Sequence, residues 1–146
     1  MIIQLDLLHK HALQNLTYNM KVMTMIGYTT IGSKNLDKAV SFYDALLEQI
    51  GGKRVMEMDR IKFYGTEAGG AMLAVCTPYD NKEQSAGNGQ QIAIPGGSIE
   101  GAQALYNKAI ELGATDAGEP GQRFDFFYGS YVYDLDGNKL CFFHMT

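Results

Sequence analysis

The sequence predicts an α+β fold built from two βαβββ modules, because it contains an internal repeat and because its hydrophobic period alternates between helix and strand. Two runs align at a constant offset: residues 36–48 (LDKAVSFYDALLE) and 99–111 (IEGAQALYNKAIE). Each has a tyrosine at the same position and a glutamate as its last residue. Strand-like runs precede and follow each copy. One helix and four strands, occurring twice, predict a duplicated module.

Both copies of the repeat are predicted to be amphipathic helices. Apolar residues recur at helical spacing and would form one buried stripe on each helix. Asn35 and Ser98 stand where a helix needs a side-chain oxygen to cap its first turn. Gly51 and Gly113 follow the two runs closely and are expected to end them.

The remaining segments of each module are predicted to be strands. A short extended run opens each module and three further runs follow its helix, with Gly69-Gly70 and Asp136-Gly137 as hairpin turns. The predicted strands are residues 26–31, 53–58, 61–64 and 72–76 in the first module, and 90–94, 115–117, 126–133 and 140–144 in the second. Residues 79–89 are polar and are interpreted as a linker between modules 26–78 and 90–146.

Composition narrows the classes of protein that remain. The chain has 146 residues, of which 46% are hydrophobic and 19% charged, as in a globular domain. A net charge of −4 disfavours nucleic acid as a partner, and no apolar run is long enough to cross a membrane. With two cysteines and no signal peptide at the start, a cytoplasmic location is expected. Residues 1–25 are an extension outside the repeat, interpreted as an accessory amphipathic helix, with a non-native or misassigned leader as the alternative.

Three stretches carry a resemblance to a known family. They are residues 31–43 (IGSKNLDKAVSFY), 118–123 (GEPGQR) and 133–138 (YDLDGN). From about residue 25 to its end, the chain resembles the vicinal oxygen chelate superfamily, which includes glyoxalases, bleomycin-resistance proteins and extradiol dioxygenases. The resemblance implies a curved, eight-stranded mixed sheet around a cavity, and a homodimer. In the metalloenzymes of the superfamily, His or Glu ligands stand on the first and last strand of each module, and the metal acts as a Lewis acid.

The positions that would carry those ligands are not suited to a metal in this chain. The repeat assigns them to Tyr28 and Gln91 on the opening strands, and to Leu73 and Cys141 on the closing strands. Zinc and iron require imidazole, thiolate or carboxylate, and harder cations require oxygen ligands. We therefore predict no metal and no other cofactor.

A cavity lined by aromatic and polar side chains remains as the predicted site. Strand alternation places Tyr131 on one face, and Arg123 is expected near the cavity mouth. Cys141 is interpreted as a packed thiol, since alternation puts His144 on the opposite face. The predicted ligand pocket comprises Tyr28, Leu73, Gln91, Arg123, Tyr131 and Cys141.

Three functions are compatible with these observations. The first is a metal-independent protein that binds a small organic ligand with ring or carboxylate character. The second is a metal-dependent lyase or dioxygenase of the same superfamily whose ligands are displaced by a register error, with Glu57, Glu67 and Glu119 as the nearest carboxylates. The third is a non-catalytic interaction domain whose modules pair across a dimer. No catalytic residue is assigned.

Overall fold

The computed structural model describes residues 25–146, and the predicted accessory helix lies outside these residues. The first module consists of β1 (Tyr28–Gly32), α1 (Leu36–Leu47) with a 3₁₀ turn (Glu48–Ile50), β2 (Lys53–Met58), β3 (Ile61–Gly65) and β4 (Met72–Cys76). The second consists of β5 (Ile92–Pro95), α2 (Ile99–Glu111), β6 (Thr115–Phe124), β7 (Phe127–Tyr133) and β8 (Lys139–Met145). The predicted order, βαβββ twice, is confirmed.

The eight strands divide into two mixed sheets of four strands each, and the two sheets are not closed into one barrel. The strand order is β1-β4-β3-β2 in the first sheet and β5-β8-β7-β6 in the second. In each sheet the opening strand runs parallel to the closing strand, and the other pairs are antiparallel. The two modules therefore share one topology, as the repeat predicts.

Both helices begin at the predicted caps. The Asn35 side chain accepts a hydrogen bond from the Lys38 N–H at 3.0 Å, and Ser98 Oγ accepts one from the Gly101 N–H at 2.9 Å. Each bond satisfies a donor that the first helical turn leaves without an intrahelical partner. Gly51 follows the 3₁₀ turn in the left-handed conformation, with φ of 72°. The local signals of the sequence thus set the beginnings of both helices.

A single hydrophobic core joins the two modules. The inner face of each helix and the helix-facing side of each sheet contribute to it, and its fully buried members include Leu46, Leu105 and Phe142. The two helices also contact each other. Burial of this many side chains is the main stabilising contribution to the fold.

The opposite side of each sheet faces away from this core, and we call these sides the open faces. Residues paired across neighbouring strands share a face, which assigns the members of each. The first open face carries Tyr28, Met56, Met58, Ile61, Phe63, Met72, Ala74 and Cys76. The second carries Phe127, Tyr131, Tyr133, Lys139, Cys141, Phe143 and Met145. Several of these side chains are about half exposed, including Tyr28 at 56%, Met58 at 50% and Met145 at 54%.

A buried carboxylate ties the modules together, and we call its surroundings the Asp134 cluster. Asp134 accepts hydrogen bonds from the Tyr43 hydroxyl at 2.6 Å, from the N–H groups of Asp136 and Asn138, and from the Asn138 side-chain amide. The Asn138 amide also donates to the Gly32 carbonyl at 3.0 Å. The 133–138 motif is therefore a structural connection between α1, the end of β1 and the β7–β8 turn.

None of the helices within residues 25–146 combines the length and the apolar character needed to cross a membrane.

Candidate functional site

The structure distributes the six predicted pocket residues over three places. Tyr28 lies on the first open face, where its ring meets Phe63 edge-on with the ring centres 5.3 Å apart. Leu73 and Gln91 line a cavity between the two modules. The other three lie on the second open face or along its margin: Arg123, Tyr131 and Cys141.

The cavity between the modules is apolar and has a volume of about 440 Å³. Its walls come from the end of α1, from β4 and from β5, and include Leu47, Ile50, Leu73 and Ile92. Gln91 stands before the start of β5 and is exposed. Leu73 packs against the shared core, whereas its neighbours Met72 and Ala74 belong to the first open face. Among the residues that line this cavity, none is charged.

On the second open face, two basic side chains lie near one aromatic ring. The Arg123 guanidinium carbon lies 5.6 Å from the centre of the Tyr131 ring, and the Lys139 ammonium lies 5.2 Å from the same centre. Cations are attracted to the electron-rich face of an aromatic ring, most strongly where water is partly excluded. Two positive charges therefore converge on one half-buried phenol.

Aromatic side chains extend this arrangement towards the far end of the strands. The rings of Phe127 and Phe143 are stacked, with centres 5.5 Å apart and planes 10° apart. A second stacked pair, Phe124 and Phe126, lies at the exposed β6–β7 turn. Aromatic surface beside fixed donors is the usual composition of a site for an organic molecule.

Cys141 lies beneath Tyr131 as a protonated thiol. Burial raises the pKa of Cys141, while Lys139, Arg123 and a hydrogen bond to Tyr131 act in the opposite direction and do not outweigh it. Cys141 is 1% exposed, and His144 lies on the other face of β8, opposite Tyr128. The placement of His144 predicted from strand alternation is confirmed. A thiol kept protonated, with no imidazole on its face, lacks the activation that a nucleophile requires.

The donor set does not fit the metal of the superfamily's metalloenzymes. Within residues 25–146, no three side chains of His, Cys, Asp or Glu come together at metal-binding distance. The three carboxylates that the sequence suggests as alternative metal ligands do not lie together. Glu57 pairs with Arg54, and Glu67 pairs with Lys53, which lowers the pKa of Glu67 through a hydrogen bond. Glu119 is exposed on the edge strand β6, so the three do not converge.

Lys139 and Phe143 contribute to the second open face but were not among the predicted site residues. The predicted strand began at residue 140, one position after Lys139, so its side chain was not assigned to a face. In the structure Lys139 pairs with Tyr133 across β7 and β8. Alternation within the predicted strand already places Phe143 on the face of Cys141, and it would have placed Lys139 there too had the strand begun one position earlier.

Comparison with protein families identifies one family for most of the chain. The family model described as the Glyoxalase/Bleomycin resistance protein/Dioxygenase superfamily matches residues 25–142. No functionally curated protein matches the chain significantly.

Solved structures resemble the chain over most of its length. A glyoxalase/bleomycin resistance protein from Albidiferax ferrireducens is 31% identical, with a TM-score of 0.77 over 84% of this chain and 100% of the other. A hypothetical protein from S. aureus is 22% identical, with a TM-score of 0.64 over 88% of this chain and 98% of the other. A superfamily enzyme from Burkholderia phytofirmans is 16% identical, with a TM-score of 0.68 over 82% and 98%. The last two likenesses concern the fold alone.

Proposed function

The chain belongs to the Glyoxalase/Bleomycin resistance protein/Dioxygenase superfamily, and from this membership together with the geometry of its open faces we propose that it binds a small organic ligand without a protein-bound metal. The ligand lies on the second open face, against Tyr131 and the stacked pair of Phe127 and Phe143. In a homodimer, the first open face of a second copy covers it. Since one fold supports many activities, the proposal depends on the site and not on the fold.

The observation that supports ligand binding most directly is the convergence of Arg123 and Lys139 on the Tyr131 ring. This arrangement places two cationic donors within 5.6 Å of the centre of one phenol ring. Such a combination orients an organic molecule through a few polar groups while apolar contacts supply most of the affinity.

The proposed dimer follows from the apolar character of the open faces. The helix-facing sides of both sheets belong to one core, so the open faces of one chain point away from it and cannot cover each other. The first open face exposes Tyr28, Met56 and Met58, and the second exposes Tyr133 and Met145. Exposed apolar side chains grouped on one face mark interaction surfaces. A two-fold dimer would place the first open face of each copy over the second open face of the other, and would create two equivalent ligand sites.

We propose a reducing compartment, the cytoplasm, for this protein. Cys76 and Cys141 are both buried and both free. Buried thiols that do not pair are typical of proteins kept in a reducing environment.

The dimer is tested by a charge placed on the first open face. We expect Met58→Glu, at a position 50% exposed, to convert the dimer to a monomer in sedimentation velocity measurements, because it would place a carboxylate in an apolar interface. Ile110→Glu is the control, since Ile110 is 37% exposed on α2 and lies on neither open face. A wild-type protein that sediments as a monomer, or a Met58→Glu variant that stays a dimer, would contradict the proposed assembly.

Ligand binding is tested by a thermal shift screen of small aromatic compounds. A ligand at about a hundredfold over its Kd adds roughly 2.7 kcal/mol to the free energy of unfolding. We expect Tyr131→Ala to abolish the shift and Tyr79→Ala to retain it, since Tyr79 is 85% exposed on the linker. The shift should persist in EDTA. Loss of the shift in EDTA would show that a metal takes part and would refute the metal-independent proposal.

A further inference from the structure

We propose that the ligand carries an oxyanion, a carboxylate or a phosphate, which Arg123 and Lys139 attract to the surroundings of the Tyr131 ring. This inference rests on the proposed function, since it specifies the class of ligand for the same site. Three features of the second open face support it: the charges are not compensated, the arginine is held in place, and apolar surface continues beside it.

The two cations lack an acidic partner within the part of the chain that the structure describes. Neither Arg123 nor Lys139 forms an ion pair with a described carboxylate, whereas five of the other eight basic residues in this part of the chain do: Lys34, Lys53, Arg54, Lys82 and Lys108. The chain as a whole carries a net charge of −4, so acidic groups are not scarce. Both positive charges lie within 5.6 Å of the centre of one ring, so an anion bound beside that ring would be attracted by both.

The backbone of β6 holds Arg123 in this position. The guanidinium donates a hydrogen bond to the Glu119 carbonyl, which folds the side chain back along its own strand. Two glycines provide the necessary room. A Cβ atom at Gly118 would approach Tyr131 Cδ2 to 2.9 Å, and one at Gly121 would approach Arg123 Nη1 to 3.1 Å. The 118–123 motif therefore positions the guanidinium near the Tyr131 ring.

A guanidinium held in this way is preorganised to bind an oxyanion. It has five donors in a planar fork, and the bond to Glu119 uses only part of that capacity. The fork matches the two oxygens of a carboxylate or of a phosphate, and Lys139 adds a second positive charge. Because one hydrogen bond already restrains the Arg123 side chain, less conformational entropy is lost when the ligand binds.

The stacked rings of Phe127 and Phe143 indicate that the rest of the ligand is apolar. They lie on the same open face as Tyr131 and present an apolar surface beside the charged end. The ligand class that fits both parts is an aromatic or otherwise apolar molecule with one terminal oxyanion.

The test compares three probes of similar shape by isothermal titration calorimetry: benzoate, phenylphosphonate and benzamide. In wild-type protein we expect at least one of the two anions to bind about tenfold more tightly than the neutral amide, since a charge-assisted hydrogen bond is worth about a factor of ten or more. The tighter of the two anions identifies the oxyanion. Its affinity should also fall as the salt concentration rises.

Two substitutions assign the effect to the named residues. We expect Arg123→Gln and Lys139→Gln each to weaken the anions about tenfold and to leave benzamide unchanged. Lys38→Gln is the matched control, because it removes the same charge from an exposed position on α1. Arg123→Lys should recover part of the affinity, and thermal unfolding of every variant reports whether the fold is intact.

The outcomes separate this inference from the proposed function. If benzamide binds as tightly as both anions, or if neither substitution weakens them, the oxyanion inference fails while ligand binding stands. If none of the three probes binds, and the thermal shift screen is also negative, both fail. Binding that weakens equally in Lys38→Gln would indicate a general effect of net charge and would also overturn the inference.

Discussion

Removal of the Tyr43 hydroxyl tests the central connection of the fold. Tyr43 is 1% exposed, and its hydroxyl donates to Asp134 at 2.6 Å. Burial, and then the negative charge of Asp134, raises the pKa of Tyr43 well above its usual value, so the phenol remains a donor at neutral pH. Tyr43→Phe removes this bond and keeps the ring, which packs at 5.1 Å from Phe42 and 6.1 Å from Tyr64.

The expected loss follows from the charge of the acceptor. A hydrogen bond to an ionised group contributes about 1.5–3 kcal/mol to the free energy of unfolding. Asp134 keeps its three other donors after the change, so the carboxylate is not left without partners. For a chain of this size, the loss corresponds to a fall in Tm of roughly 3–12 °C.

The repeat supplies an internal control. Tyr106 occupies the same position in α2 and donates to Asp116 at 2.9 Å, but this bond is exposed. We expect Tyr106→Phe to cost about 0.5 kcal/mol or less, as is usual for a surface change. Urea unfolding of both variants measures the difference, provided that the slope of each transition is unchanged.

A double substitution separates the bond from general effects of packing. In an Asp134→Asn background, Tyr43→Phe should cost less than in the wild type, since the charged acceptor is already absent. If the two tyrosine variants lose equal stability, or if the cost of Tyr43→Phe is the same in both backgrounds, the reasoning about the Asp134 cluster is refuted.

Four further results are expected. Ser98→Ala should lower the free energy of unfolding by about 1 kcal/mol in urea titration, because it removes the cap of α2; an unchanged midpoint would contradict the capping role. Burial raises the pKa values of Tyr43 and Tyr64 above that of an unfolded tyrosine, so the stability that their neutral forms provide is complete below about pH 10 and is lost as the pH rises further. The urea midpoint should therefore fall as the pH rises above about 10, and less so in Tyr43→Phe; an equal fall in both proteins would disagree. In a Cys76→Ser variant, iodoacetamide at neutral pH should label Cys141 far more slowly than it labels the urea-unfolded chain, whereas equal rates would reveal an activated thiol. Dialysis against EDTA, or addition of equimolar zinc or nickel, should leave the Tm unchanged, and a metal-dependent rise would contradict the assessment of the donor set.

The helices could be predicted from the sequence because their signals are local. A cap residue, an amphipathic stripe and a terminal glycine each act within a few residues, and Asn35 and Ser98 make the hydrogen bonds that their positions predict. Strand alternation likewise gave the faces of Tyr131 and His144. Each of these inferences requires only the period of one element.

The length of β6 could not be predicted in this way. The sequence suggested residues 115–117, whereas the strand extends over Thr115–Phe124. Three register irregularities interrupt its pairing with β7, and it contains Pro120 and two glycines. An edge strand tolerates these residues because one of its sides forms no ladder, and bulges absorb the irregular register. A run that resembles a turn in isolation is therefore a strand when β7 lies beside it.

The grouping of the site residues depends on contacts between distant parts of the chain. Alignment of the two turns made Leu73 the counterpart of Cys141, but Leu73 packs towards the core and Cys141 lies on an open face. A shift of one position exchanges the faces of a strand, and Met72 and Ala74 occupy the open face instead. The sequence repeat fixes equivalence between modules only to within such a shift.

The Asp134 cluster also makes the two halves of the repeat non-interchangeable. The turns that precede β4 and β8 close in the same way, with Gly69 N–H donating to the Thr66 carbonyl at 3.0 Å and Gly137 N–H donating to the Asp134 carbonyl at 3.1 Å. Threonine thus stands in the first turn where the second has the acid. A chain made of two first halves would have no acid to receive the tyrosine hydroxyl, and a chain made of two second halves would have to supply that hydroxyl from Tyr106. The acid that receives the tyrosine hydroxyl therefore occurs in the second half alone, although both halves carry the tyrosine.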